Sequence, residues 1–280
     1  MKVVFVGLGA MGLPMAHNLV VQGFDVIGVD PDPERRESAR PGLRTVASVA
    51  ECPGADLVIV MVAHDGQLAG VLSDAPEPLQ SAVWVLMGTL GVDAVVAAQQ
   101  RLGQRGGSVV DAPVTGGQAG ARNVTMLIMV GGAPDLVEQV RPVLAHLGRV
   151  IQVGEKVGDG QAMKTVNQLL CSVHLVAAGE ALALAGRLGI DGELALEVLT
   201  SGGANSWMLT DRGPRMLGEP PVPPKSTIDI FVKDSGLAVA AANSVGMAAP
   251  VLQAAHDQFV RASQAGLGDV DDSVVISNYR

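Results

Sequence analysis

The chain opens on an apolar run, Val3 to Val6, that passes directly into Gly7-Leu8-Gly9-Ala10-Met11-Gly12. A strand, a glycine turn and a helix in that order form a corner whose free backbone N–H groups face an anion. Gly7 permits the tight turn out of the strand. Gly9 has no side chain, so the backbone can approach a pyrophosphate closely. Gly12 lets the helix pack on the strand, and Leu8, Ala10 and Met11 complete the turn. The helix is predicted from Ala10 to about Gln22. After Gly23 a second apolar strand, Asp25 to Val29, ends in Asp30. An acid roughly 20 residues beyond the glycines suits the hydroxyl pair of a ribose. The glycine triplet alone is a weak signal, but the strand–helix–strand frame with its terminal acid makes it a strong one and implies a dinucleotide. Asp30 can accept from both ribose hydroxyls and would repel a 2′-phosphate, so NAD is expected rather than NADP, although Arg35 and Arg36 lie close enough to blur the choice.

The chain has 280 residues and a formal charge of −9, with no basic cluster. That length supports a sizeable core and two domains. The charge argues against nucleic acid or an anionic membrane as partner. No apolar run reads as a membrane helix, for which about 20 residues are needed. The first residues are expected to stay as a strand, because removing them as a secretion signal would delete the glycine turn. Cys52 and Cys171 lie far apart in the sequence and make no disulfide framework. Reduced thiols and a cytoplasmic location follow as expectations.

Strands and helices alternate through the first half. Beyond Asp30, a helix from about Pro33 leads to a loop around Pro41. Strands follow at Asp56–Val62, Val83–Met87, Ser108–Asp111, Thr125–Val130 and Val150–Val153, with helices at 67–72, 92–102 and 134–147. This pattern predicts right-handed crossovers and a doubly wound, Rossmann-type sheet. After Gly158 the texture becomes helical. One long helix is predicted from Gln161 to Leu188, with others near 192–200, 228–245 and 250–265, and no strand pattern until the last residues. The expected division is 1–157 for the dinucleotide domain and 158–280 for an all-α domain.

Lys164, Asn167 and Gln168 fall at i, i+3 and i+4 on the long helix and share one face. An amine beside two carboxamides suits a hydroxyl or carbonyl substrate, since the amine can take the proton and the amides can hold the oxygen. A lysine acting as base must fall below its ordinary pKa of about 10.4. On spacing alone a solvated lysine is the commoner outcome. The segment Asp111-Ala112-Pro113-Val114-Thr115-Gly116-Gly117 ends a strand, where open α/β sheets place ligands. Thr115 can cap a short helix, and the Gly116 and Gly117 N–H groups can bind a carboxylate; a plain glycine-rich surface loop is an equal reading. Thr89 ends another strand, either touching the nicotinamide end of a cofactor or simply capping the strand. Lys233 and Asp234 offer charge inside an apolar helix, or a helical ion pair. Trp207 and Met208 can line a pocket or fill the core. The five histidines show no metal spacing, so no metal is expected, and no serine-hydrolase elbow appears.

Three blocks in order resemble the β-hydroxyacid dehydrogenase family, which includes 3-hydroxyisobutyrate and 6-phosphogluconate dehydrogenases. Gly7 to Leu19 resembles its cofactor signature, Asp111 to Ala121 its substrate signature (Thr115 standing where Ser is commoner), and Gly158 to Gln168 its catalytic signature. The resemblance implies that Lys164 is the catalytic residue. It also implies that Thr115, Gly116, Gly117, Asn167, Gln168 and Trp207 meet the substrate, that Thr89 and Lys233 join the glycine loop at the cofactor, and that the protein forms homodimers or homotetramers. The family usually has two asparagines where this chain has Asn167-Gln168. That pair, with Asn205 to Met208, Asp229 to Asp234 and Asp271 to Ser273, is similar to the L-threonate-oxidising branch, which acts with NAD on the C2 hydroxyl of four-carbon sugar acids. Other 3-hydroxy acids, the reduction of an aldehyde acid or imine, and a non-catalytic dinucleotide sensor are the competing expectations. Imine reductases usually lack the lysine.

Overall fold

Residues 3–6 alternate their side chains between two apolar layers. Val3 and Phe5 point into one core with Met15, Leu19 and Ile59; Val4 and Val6 point into the other with Val58, Val60 and Trp84. A strand with both faces buried belongs inside a sheet covered by helices on each side. The computed structural model, described over residues 1–39 and 42–280, has that arrangement. The loop expected around Pro41 lies outside the described residues.

The described chain forms two compact units, Met1–Lys164 and Thr165–Arg280. The first contains β1 (Lys2–Val6), α1 (Gly12–Val21), β2 (Asp25–Val29), α2 (Pro33–Ser38), β3 (Arg44–Val46), β4 (Leu57–Val60), α3 (Asp65–Asp74), α4 (Glu77–Gln80), β5 (Val83–Leu86), α5 (Val92–Gly103), β6 (Ser108–Asp111), β7 (Val114–Thr115), α6 (Gly117–Asn123), β8 (Met126–Gly131), α7 (Pro134–Leu144) and β9 (Gly148–Gly154). Strand order is β3-β2-β1-β4-β5-β6-β8-β7, with β9 paired to β8. From β3 through β6 every pairing is parallel, and the order reverses at β1, where β2 lies on one side and β4 on the other. That reversal is the switch point at which doubly wound sheets bind ligands. The expected α/β architecture is present, with one difference. β8 runs antiparallel to β6 and β7, because the chain returns through β7 and the short α6 rather than through a full crossover.

Helix α8 (Asp159–Arg187) runs through the division into the second unit, followed by α9 (Gly192–Ser201), α10 (Trp207–Leu217), α11 (Ile228–Ser244) and α12 (Pro250–Ala262). The helical core of this unit joins Leu175, Leu182, Met208, Phe231, Phe259 and Ile276. Two expectations need correction. The chain ends in a 3₁₀ helix, Asp272–Tyr279, rather than a strand. Asp271 starts it by accepting from Ser273 N–H and Oγ–H and by pairing with Arg215 at 2.6 Å. And α8 is long and apolar enough, by length and composition alone, to cross a membrane, with a mean hydropathy of 1.7 over its best window. Its Leu175, Val176, Ala178 and Leu182 nevertheless belong to the helical core.

Candidate active site

The glycine corner has the geometry its sequence implies. Gly7 has φ +93°, and a side chain there would overlap the Met61 carbonyl at the end of β4; one at Gly12 would overlap the Gly7 carbonyl. Gly9 differs, since the nearest atom to an added Cβ is Arg35 Nη1 at 3.8 Å. Its missing side chain therefore leaves space for a ligand rather than relieving a clash inside the protein. Leu8, Ala10 and Met11 line the same turn, and α1 starts at Gly12, two residues later than expected. Asp30 is buried. Its carboxylate accepts from Leu8 N–H at 2.8 Å and from Asp32 N–H at 3.0 Å, tying the end of β2 to the glycine turn. Arg35 lies 3.5 Å from the same carboxylate, and Arg36 donates to the Asp30 and Pro31 carbonyls. An open backbone cradle, a helix N-terminus and a fixed carboxylate together fit a dinucleotide.

The start of α8 is held by the sheet. Asp111, at the end of β6, accepts from Gly158 N–H at 2.8 Å and Gln161 N–H at 2.7 Å, capping the helix from a distant strand. Burial is the main cause that pushes the Asp111 carboxyl up to about 6, against the pull of those N–H donors. Gly160 packs so closely that an added Cβ would stand 2.7 Å from Asp111 Oδ2 and from the Met129 carbonyl. The Gln161 side chain reaches across β5. Its Nε2 donates to Gly88 O at 3.0 Å, and its Oε1 accepts from Leu90 and Gly91 N–H at 3.0 and 3.1 Å. Thr89 sits inside that grip. The block Gly158 to Lys164 thus seats the first turn of α8 on the C-terminal ends of β5 and β6, and Lys164 comes three residues after Gln161. Lys164 is 6% exposed. It is not the solvated lysine that spacing alone favours.

Thr115 pairs with Leu127 at the end of β7 and does not cap α6; Gly116 takes that position, with no side-chain cap. Gly116 and Gly117, at φ +124° and +61°, turn the chain from strand into helix. On α8, Asn167 donates to Gln168 Oε1 at 2.9 Å and to Cys171 Sγ at 3.4 Å. Gln168 in turn donates to Asp234 Oδ2 at 2.6 Å, and Lys233 Nζ stands 2.9 Å from Asp234 Oδ1. Trp207 is an exposed residue at the start of α10, with the Arg212 guanidinium 5.2 Å from its ring centre, whereas Met208 is in the core. Sequence reasoning missed the gripping role of Gln161, the capping role of Asp111 and the link from Asp234 to Gln168. Only the paired glycines around Asp159 hinted at the first two. Among the described residues no cluster of His, Cys, Asp and Glu could hold a metal.

Residues 2–155 match the NAD-binding domain of 6-phosphogluconate dehydrogenase, and residues 158–279 match the NAD-binding domain of NADP-dependent 3-hydroxyisobutyrate dehydrogenase. L-threonate dehydrogenase of Pectobacterium atrosepticum is 35% identical, covering 98% of this chain and 92% of the relative. That of Cupriavidus necator is 37% identical, covering 97% and 93%. A crystal structure of 3-hydroxyisobutyrate dehydrogenase from Salmonella typhimurium superposes with a TM-score of 0.92 at 31% identity, covering 99% of each chain. The buried lysine, the glycine corner and these full-length likenesses agree: the chain belongs to the 3-hydroxyisobutyrate dehydrogenase family of NAD(P)-binding hydroxy-acid dehydrogenases.

Proposed function

We propose that this enzyme oxidises the C2 hydroxyl of a four-carbon sugar acid such as L-threonate, with NAD as cofactor and Lys164 as general base. The observation that carries the reading is the buried Lys164, held one turn beyond the Gln161 grip on the β5 turn. NAD, when bound, supplies the hydride acceptor. Lys164 takes the proton from the substrate hydroxyl oxygen and returns it in the reverse direction; burial is the environment in which a lysine amine serves as a base. Gly116 and Gly117 N–H groups hold the carboxylate beside Thr115. The amides of Asn167 and Gln168 lie on the lysine's face of α8, where Asn167 meets a substrate hydroxyl and Gln168 stands behind it. Thr89 and Lys233 contact the cofactor. The two L-threonate relatives support this substrate class, and the family's 3-hydroxyisobutyrate members supply the competing one.

The exposed apolar stripe Met163, Val166, Leu170, Leu184 and Leu188 along α8 supports a homodimer or homotetramer, measurable by light scattering. Two cysteines that form no disulfide, together with the cofactor, suit a cytoplasmic enzyme.

The test is NAD reduction across threonate, erythronate, glycerate, 3-hydroxyisobutyrate, serine and phenylserine, with Lys164→Ala alongside. The variant is expected to lose about 10²–10⁴-fold in turnover while still binding NADH by fluorescence. Near-normal turnover removes Lys164 from the mechanism, and a clear preference for 3-hydroxyisobutyrate replaces the sugar-acid reading.

A further inference from the structure

The pair Asn167-Gln168 is wired to α11 in a way that fixes which atoms it can offer. Asp234 is a buried carboxylate, and an acceptor of that kind fixes the orientation of the amide it meets. Gln168 must turn its NH₂ toward Asp234, at 2.6 Å, and therefore its carbonyl toward Asn167. That carbonyl then takes one Asn167 N–H at 2.9 Å, and Cys171 Sγ takes the other at 3.4 Å. With both Nδ2 hydrogens directed along the helix, Asn167 is left offering Oδ1. We propose that Asp234 is a positioning residue for substrate selection: through Gln168 it turns Asn167 so that an acceptor faces the substrate, selecting hydroxy acids that carry a further hydroxyl donor beside the reacting one.

The inference rests on the reading that Asn167 shares the substrate face with Lys164. An acceptor that meets only methyl or methylene loses a hydrogen bond it would keep with water, so an aliphatic hydroxy acid is disfavoured. A Gln at 168 reaches Asp234 by its extra methylene, which gives a physical role to the departure from the family's usual asparagine pair.

The experiment compares kcat/KM for threonate and 3-hydroxyisobutyrate in the parent, in Asp234→Asn, and in the swap Gln168→Glu with Asp234→Asn. In Asp234→Asn one carbonyl replaces the two carboxylate oxygens that serve Gln168 and the Lys233 ammonium. The charged donor takes it, and the new NH₂ then opposes the Gln168 NH₂. The wiring reverses, and the threonate preference is expected to fall about tenfold or more, chiefly through KM for threonate. The swap restores an acceptor at 168 for both amides and is expected to recover the preference. Calorimetric binding of threonate to the NADH-loaded enzyme should follow the same order. Gln168→Met, which keeps the shape and removes the amide, serves if Asp234→Asn fails to fold, and the same loss of preference is expected from it. An unchanged preference in Asp234→Asn, or in Gln168→Met, overturns the inference, as does a swap that folds and does not recover. Turnover surviving in Lys164→Ala sinks the underlying reading instead, and so the two failures are distinguishable.

Discussion

The Asp111 carboxylate accepts the backbone N–H of Gln161 at 2.7 Å, across a separation of 50 residues. One strand end therefore sets the position of the helix that carries Lys164, and the Gln161 side chain passes that position on to the turn carrying Thr89. The link is short, buried and made of directed bonds, so small changes in it should be felt at the site.

Gln161→Met tests the grip. The substitution keeps length and burial but removes three hydrogen bonds to the 88–91 turn. At about 1 kcal/mol each, stability should fall by about 1–3 kcal/mol, and KM for NAD should rise because Thr89 is no longer held. Denaturant unfolding and cofactor titration read the two effects. An unchanged KM for NAD would show that the turn needs no grip.

The Asp111 carboxyl, raised to about 6 by burial, sits above its unfolded value near 3.8. The protonated form is thus favoured in the folded protein. Its contribution to stability is fully present below pH 3.8 and is lost as pH rises through 6. Asp111→Asn has no such titration. On acidification from pH 6 to pH 4, the parent should gain stability relative to the variant, by unfolding measured at each pH. Parallel profiles would refute the assignment.

Much of the fold was legible because period-two burial on both faces of the sheet and the long apolar run of α8 are local signals. Helix α10 was not. Its Gly213 and Pro214 interrupt the pattern, and its Arg212 and Arg215 read as surface charge until Asp271 and Asp272 are found beside them, at 2.6 and 2.9 Å. The site divides in the same way. Gly7, Gly9, Gly12 and Asp30 act through backbone geometry that a motif encodes. Gln161 and Asp234 act through partners 66 to 73 residues away, and nothing in a linear pattern gives that distance.

The glycines of the corner should separate by role. Gly12→Ala forces a side chain into the Gly7 carbonyl and should cost several kcal/mol or abolish folding. Gly9→Ala has open space, so its stability should stay within about 0.5 kcal/mol of the parent. Its Cβ nevertheless stands where a pyrophosphate must approach, and NADH affinity should fall by about tenfold or more. Fluorescence titration beside thermal unfolding checks both. Equal stability losses in the two variants would mean that Gly9 serves packing alone.

Cofactor choice turns on Asp30 and Arg35. The carboxylate of Asp30 is fixed by the Leu8 and Asp32 N–H groups, so it cannot swing away from an added phosphate. Arg35 stands 3.5 Å from it and 3.4 Å from Asp32, its positive charge shared between two acids. A 2′-phosphate would meet that pair of carboxylates before it gained the guanidinium, which favours NAD. Asp32→Asn removes one acid from Arg35 without touching the bond to the glycine turn. It should raise kcat/KM with NADP several-fold and leave that with NAD within about twofold, since exposed charges act weakly. The parent enzyme should prefer NAD, and steady-state kinetics with both cofactors decides it. A parent that prefers NADP would mean that Arg35 leaves its acids to take the phosphate, and Arg35→Ala should then abolish that preference.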